Sequence, residues 1–179
     1  MTNSQLLITK YSLPRYSVVL RVLCFVTSGD EVLLLKGAPN KKLWAGKYNG
    51  LGGHVERGES VHAAARREIW EEAGLAVTDL RLCGVIMIDV EAGPGIGMFV
   101  FNATAASRAV TASAEGALAW VPRGQVAELE TVEDLPRLIH FVFGQPPGAP
   151  PFGGHYSYGP DGRLQMEIFS EPMGADRPL

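Results

Sequence analysis

Between residues 60 and 74 the chain carries a helix with start and stop signals at both ends, and most of the other patterned segments read as strand. Ser60 is a capping residue, Ala63, Ala64 and Ala65 favour helix, and Gly74 can close it. Ahead of the helix, residues 17–26 (SVVLRVLCFV) are rich in β-branched side chains, Ser28-Gly29-Asp30 supplies a turn, and residues 31–35 read as the return strand. After it come strand-like runs at 80–90 and 96–103 around the turn at 91–95, then 118–121 closed by Pro122. Residues 135–143 predict a second helix ending at Gly144, and a last hairpin spans 155–158 and 163–169 around Pro160-Asp161-Gly162. Strands on both sides of one strong helix, without regular βαβ alternation, predict an α+β fold. A mixed β-sheet covered by helices is expected, rather than a doubly wound one.

The chain's 179 residues suit one domain, expected over 16–171 with a short arm at 1–15 and a frayed tail at 172–179. The Pro/Gly-rich stretch 145–152 is a local linker, because only a small hairpin follows it. Sixteen Lys and Arg against nineteen Asp and Glu leave a net charge of −3, so no broad basic field draws in polymeric nucleic acid. Cys24 and Cys83 fit neither a redox pair nor a zinc spacing and read as free thiols of a reducing compartment. No window reaches the roughly 18 apolar residues of a membrane span, and the first residues lack the pattern of a secretion signal. A cytoplasmic protein without a membrane partner is expected, as monomer or homodimer.

The chemistry concentrates at residues 53–75. On a helix, Glu68, Glu71 and Glu72 fall within an arc of roughly 100°, beside an apolar arc formed by Ala65, Ile69 and Ala73. Like charges at these spacings repel by about 0.2–0.5 kcal/mol per pair even when solvated. The cluster is therefore either an ordinary charged helix face or a cation site. Hard carboxylate oxygens would favour Mg²⁺, or Mn²⁺ in its place, over zinc. Gly50, Gly52 and Gly53 crowd the entry to this helix, a density that marks unusual backbone dihedrals or close approach of a ligand.

The joint spacing is more specific than either part. Gly53, Glu59, Arg67, Glu68, Ile69, Glu71, Glu72, Gly74 and Leu75 match every position of G-x5-E-x7-R-E-U-x-E-E-x-G-U, with U aliphatic. A chance match in a chain of this length is on the order of one in ten million. The pattern resembles the signature of the Nudix hydrolases. The resemblance implies an α/β/α sandwich, with a C-terminal hairpin here, that cleaves nucleoside diphosphate derivatives with a divalent metal. It also implies that Glu68, Glu71 and Glu72 bind the metal while Glu59 and Arg67 form a supporting ion pair.

The surrounding segments are most similar to the MutT-type 8-oxo-purine nucleoside triphosphate diphosphatases. Residues 44–53 (WAGKYNGLGG) resemble the loop in which an asparagine, here Asn49, bonds the base and the carbonyl of Gly52 joins the metal. Glu133 and Asp134 match the acids that read the purine edge, although both also suit the start of a helix. Asn49 equally suits a turn before Gly50. Lys36 and Gly53 are further candidates for substrate contact, Lys36 through phosphate. The sequence departs from the pattern at Thr131, where a tryptophan is expected, so stacking on the base falls to Trp44 or Phe25. A further metal-side glutamate aligns with Ala112, and Glu115 is the nearest substitute. The four histidines show no ligand spacing and are expected in surface or packing roles. The implied activity is Mg²⁺-dependent cleavage of purine nucleoside triphosphates, oxidised ones included, to monophosphate and pyrophosphate. Hydrolysis of ADP-ribose or a dinucleotide polyphosphate, and non-catalytic nucleotide sensing, are the alternatives.

Overall fold

The computed structural model describes residues 16–40, 44–111, 115–146 and 148–169. The expected arm at 1–15, the tail at 172–179 and Ala112 lie outside the described residues. In chain order the elements are β1 (Val18–Ser28), β2 (Glu31–Gly37), β3 (Tyr48–Asn49), α1 (Val61–Ala73), β4 (Val77–Ile88) and β5 (Gly95–Ala105). They continue with β6 (Gly116–Pro122), a 3₁₀ turn (Arg123–Glu128), α2 (Leu135–Gly144), β7 (Phe152–Tyr158) and β8 (Leu164–Phe169). Among the described residues no helix is long and apolar enough to cross a membrane.

The strands form one mixed sheet that runs β2-β1-β5-β4-β7-β8, with β6 paired along β2. The β1–β5 and β4–β7 pairs are parallel and the remaining strand pairs antiparallel. Successive side chains of a strand point to opposite faces, and the apolar runs of β1 and β2 are buried on both. Val22, Cys24, Val26, Leu33 and Leu35 pack under α1, against Ala64, Ala65, Ile69 and Ala73. Leu23, Phe25, Val32 and Leu34 pack under α2, against Leu135, Leu138, Ile139 and Val142. This is the expected α/β/α layering. Each fully buried Leu, Ile or Phe contributes about 1.5–3 kcal/mol, far more than the repulsion among the α1 carboxylates. Packing alone can therefore hold the acidic helix against the sheet.

One departure from a regular sheet positions the site. β1 and β2 pair only at their hairpin end, through Val26↔Leu33, Thr27↔Val32 and Ser28↔Glu31. Beyond it, the glycine-rich segment bonds to both strands: Asn49 and Tyr48 pair with Leu35 and Lys36 of β2, and Leu51 and His54 with Cys24 and Arg21 of β1. Tyr48 also bridges to Thr131, its N–H donating to the Glu130 carbonyl at 2.8 Å. The residues just before α2 are thereby brought beside the glycine segment. Strand β4 starts at Val77, earlier than the expected residue 80. A register shift falls between Thr78 and Arg81, where Asp79 adopts φ 50°. That bulge breaks the alternation on which the sequence reading depends.

Candidate active site

Helix α1 starts at Ser60, whose Oγ accepts from the Ala63 N–H at 3.2 Å, and ends where the Gly74 N–H donates to the Trp70 carbonyl at 2.8 Å. Ala64 and Ala65 are fully buried, and such small side chains let the helix lie close to the sheet. On the face turned toward the glycine segment, Glu72 is buried and its Oε2 accepts from the Gly52 N–H at 2.8 Å. Gly52 has φ 147°, and a Cβ there would lie 2.1 Å from the Val22 carbonyl oxygen. A Cβ on Gly53 would lie 2.3 Å from Oε1 of Glu68. Gly52 needs glycine because sheet backbone already fills the space, whereas at Gly53 the space is taken by the movable end of the Glu68 side chain.

Arg67 is the hub of the acidic cluster. Its guanidinium donates to both Glu59 oxygens (2.7 and 3.2 Å), to Glu68 Oε1 (2.9 Å), to Glu71 Oε2 (3.0 Å) and to the His54 carbonyl (2.9 Å). Glu59 also accepts from the Glu56 N–H at 2.7 Å. The Arg67 bond, then that N–H, hold the Glu59 carboxyl below the usual carboxylate range. Glu59 in turn is the main cause that raises the Arg67 guanidinium further above its ordinary value. The cluster thus carries its own counter-charge. Cys24 lies beneath it, and burial, with Glu72 and Glu68 nearby, pushes its thiol well up, so it stays protonated and serves packing rather than nucleophilic attack.

Glu68, Glu71, Glu72, Arg67, Gly52 and Gly53 line a trough of about 570 Å³, together with Glu56, Glu115, His54 and Arg21. Among the described residues no three acidic, histidine or cysteine side chains are already gathered around one point. In this state Glu68 and Glu71 are turned to Arg67 instead. The donor set nevertheless suits a hard divalent cation: it is built from carboxylate oxygens, and among the described residues no donor bonds the Gly52 carbonyl.

A second cavity, of about 160 Å³, opens on the α2 side of the sheet. Asn49, Glu133 and Asp134 line it, with apolar walls that include Leu23, Met98 and Ile88. The C-terminal hairpin closes one side with Tyr156, Tyr158 and Leu164. Asn49 Oδ1 accepts from the Gly50 N–H at 2.8 Å, which leaves its amide NH₂ as the group to meet a ligand. Burial, then the neighbouring charge of Glu133, raises the Asp134 carboxyl above its ordinary value. Such a carboxylic acid, kept protonated further up the pH scale, is a donor as well as an acceptor.

The structure brings Glu68, Glu71 and Glu72 to one trough, with Glu59 held behind it on Arg67, and brings Asn49, Glu133 and Asp134 to one pocket. Lys36 joins neither cavity; its Nζ lies 5.4 Å from the centre of the Tyr48 ring. Phe25 cannot stack on a ligand, because it is fully buried in the α2-side core against Phe143. Trp44, half-exposed, does line the pocket. Glu115 reaches the trough, whereas His54 does so against the expected surface or packing role. Sequence reasoning missed Arg21, Glu56 and the tyrosines of β7. Arg21 did leave a signal, as the lone charge in the apolar run 17–26.

The chain matches the description "NUDIX domain" over residues 18–141. It is 43% identical over 70 residues to the oxidized purine nucleoside triphosphate hydrolase of Danio rerio, covering 39% of this chain and 44% of that one. It is 45% identical over 71 residues to the NAD-capped RNA hydrolase NudC of Pseudomonas aeruginosa strain LESB58, covering 40% of this chain and 24% of that one. The chain therefore spans less than half the length of either relative. Among solved structures, a MutT protein from Bacillus halodurans superposes with a TM-score of 0.71 at 27% identity, covering 87% of this chain and 100% of that one.

Proposed function

The chain belongs to the Nudix family, and from that premise we propose that it is a Mg²⁺-dependent pyrophosphohydrolase. Its substrates are purine nucleoside triphosphates, oxidised purines among them, which it cleaves to the monophosphate and pyrophosphate. The observation that carries this reading is the adjacency of the two cavities. An acidic trough suited to a metal polyphosphate meets a narrow pocket with an amide and a raised carboxyl group, and both are lined by Arg21 and Gly52.

Glu68, Glu71 and Glu72, with the Gly52 carbonyl, would hold the ion. When bound, Mg²⁺ supplies neutralisation of phosphate charge and Lewis acidity toward the scissile linkage. Arg67 and Glu59 keep the carboxylates oriented, and Glu56 and Glu115 add acidic groups to the trough in which the attacking water gives up its proton. In the pocket, the Asn49 amide donates to an acceptor on the purine edge, while Asp134 pairs with a neighbouring donor or acceptor. A buried polar site of this kind rejects an analogue that leaves its groups unpaired.

The test is a product-resolved screen with Mg²⁺ across canonical and oxidised purine and pyrimidine triphosphates, ADP-ribose, dinucleotide polyphosphates and NAD-capped RNA. Fastest release of pyrophosphate from purine triphosphates is expected. Preference for any other class, or nucleotide binding without hydrolysis, overturns the reading.

A further inference from the structure

Arg21 has no part in the ion-pair hub, yet it is the cationic side chain common to the linings of both cavities. On β1 it alternates with Leu20 and Val22 and falls on the same face as Leu23 and Phe25, the face that carries α2 and the narrow pocket. Its position is rigid. The Val55 N–H donates to the Leu20 carbonyl at 3.0 Å and the Val22 N–H to the Gly53 carbonyl at 2.9 Å, so backbone bonds to the glycine segment bracket it on both sides. Among the described residues no hydrogen bond or ion pair engages its guanidinium, and it is only partly exposed. A solvating role would leave this side chain extended into water; a charge-balancing role would have paired it with a trough carboxylate, as Arg67 is paired.

We infer that Arg21 is a positioning residue that grips the phosphate joined directly to the nucleoside, at the neck between pocket and trough. This rests on the proposed division of the substrate between the two cavities, and it adds a contact which neither the acidic signature nor the base-reading residues supply. A planar guanidinium offers paired donors that match two oxygens of one phosphate. Placed at the neck, it links the position of the base to that of the scissile linkage, so that a base held in the pocket presents its phosphates to the trough in one register.

The experiment measures affinities in EDTA, so that no metal contributes, for adenosine, guanosine and 8-oxo-2′-deoxyguanosine and for the 5′-monophosphate of each. Wild-type protein is compared with Arg21→Met and Arg21→Lys by calorimetry. For the pairs that bind, the wild type is expected to hold the monophosphate more tightly than the nucleoside, and Arg21→Met to reduce that margin by roughly ten-fold or more, in line with loss of a charge-assisted bidentate contact. Nucleoside affinity should not change, and Arg21→Lys should restore part of the margin. A margin that survives Arg21→Met overturns the assignment of Arg21 alone. Equal loss for nucleoside and monophosphate also overturns it, because Arg21 would then be supporting the pocket's structure. If none of these ligands binds the wild type, the base-pocket reading falls and the inference falls with it.

Discussion

Gly52 and Gly53 are adjacent and look equivalent, but an added methyl group meets different neighbours at each. At Gly53 the new Cβ would sit 2.3 Å from Oε1, 2.6 Å from Cδ and 2.7 Å from Oε2 of Glu68. The obstacle is the far end of a flexible side chain, and the carboxylate can retreat by roughly 1 Å to restore ordinary contact. Such a retreat strains the 2.9 Å bond from Arg67, which at a partly exposed ion pair costs about 0–1 kcal/mol. Loss of glycine freedom in the unfolded chain returns about 0.4–1 kcal/mol. Gly53→Ala should therefore melt within about 4 °C of the wild type. Its chemistry should suffer far more, because a 1 Å displacement of a metal-side group is enough to lower turnover by about a hundred-fold. At Gly52 the obstacle is the Val22 carbonyl, part of the sheet backbone, 2.1 Å away, and the residue has φ 147°. Strain and overpacking together cost about 2–6 kcal/mol, a fall in Tm on the order of 10 °C. Thermal melts and Mg²⁺-dependent pyrophosphate release, measured on both variants, check the contrast. A Gly53→Ala enzyme within three-fold of wild-type activity, or a Gly52→Ala protein as stable as the parent, would refute the reasoning.

Glu72→Gln keeps an oxygen to accept the Gly52 N–H, so its melting curve should match the wild type while metal-dependent turnover disappears; retained turnover removes Glu72 from the site. Asn49→Ala should blunt discrimination among bases more than it slows hydrolysis of the preferred one, and an unchanged ranking of triphosphates would count against its role in the pocket. The Asp134 carboxyl is raised above its unfolded value by burial and by Glu133, so its stabilising contribution is complete below about pH 3.8 and is lost as pH rises through the folded value. Asp134→Asn should accordingly gain stability over the wild type across that rise, and a Tm difference constant with pH would contradict it. Because Arg67 pairs with Glu59, Glu68 and Glu71 and the apolar face of α1 is buried, chelation of divalent ions should abolish hydrolysis and leave Tm within about 2 °C; a collapse of the fold in EDTA would show that packing does not hold α1 by itself.

The signature helix was legible because its information is local. Capping at Ser60, closure at Gly74 and the angular grouping of Glu68, Glu71 and Glu72 all lie within fifteen residues, and hairpins such as β1–β2 and β7–β8 announce themselves through their turns. The parallel pairing of β1 with β5 is different. It joins residues more than seventy positions apart, and nothing in either strand names the other. The same holds for the union of Asn49 with Glu133 and Asp134, which depends on the bridge between Tyr48 and Thr131. Lys36 was a reasonable candidate by proximity along the chain to the glycine segment, but its side chain is drawn over Tyr48. Phe25 looked available for stacking only because a strand residue's face cannot be read until its partners are known. Arg21 was visible as an interruption of an apolar run, and its meaning emerged only once two cavities were found to meet beside it.

A run with three glycines in four positions would ordinarily be among the most mobile parts of a chain. Here residues 48–55 are tied alternately to β2, to the stretch before α2 and to β1, with the Cys24 and Leu51 amides exchanging bonds of 2.7 and 3.1 Å. The segment behaves as a keystone: removal of side chains lets it fit, and its neighbours then deny it freedom. Amide exchange at Leu51 should be as slow as in the central strands, and adaptation of the pocket to different ligands must come from the rim, at Trp44 and the terminal hairpin, rather than from the floor.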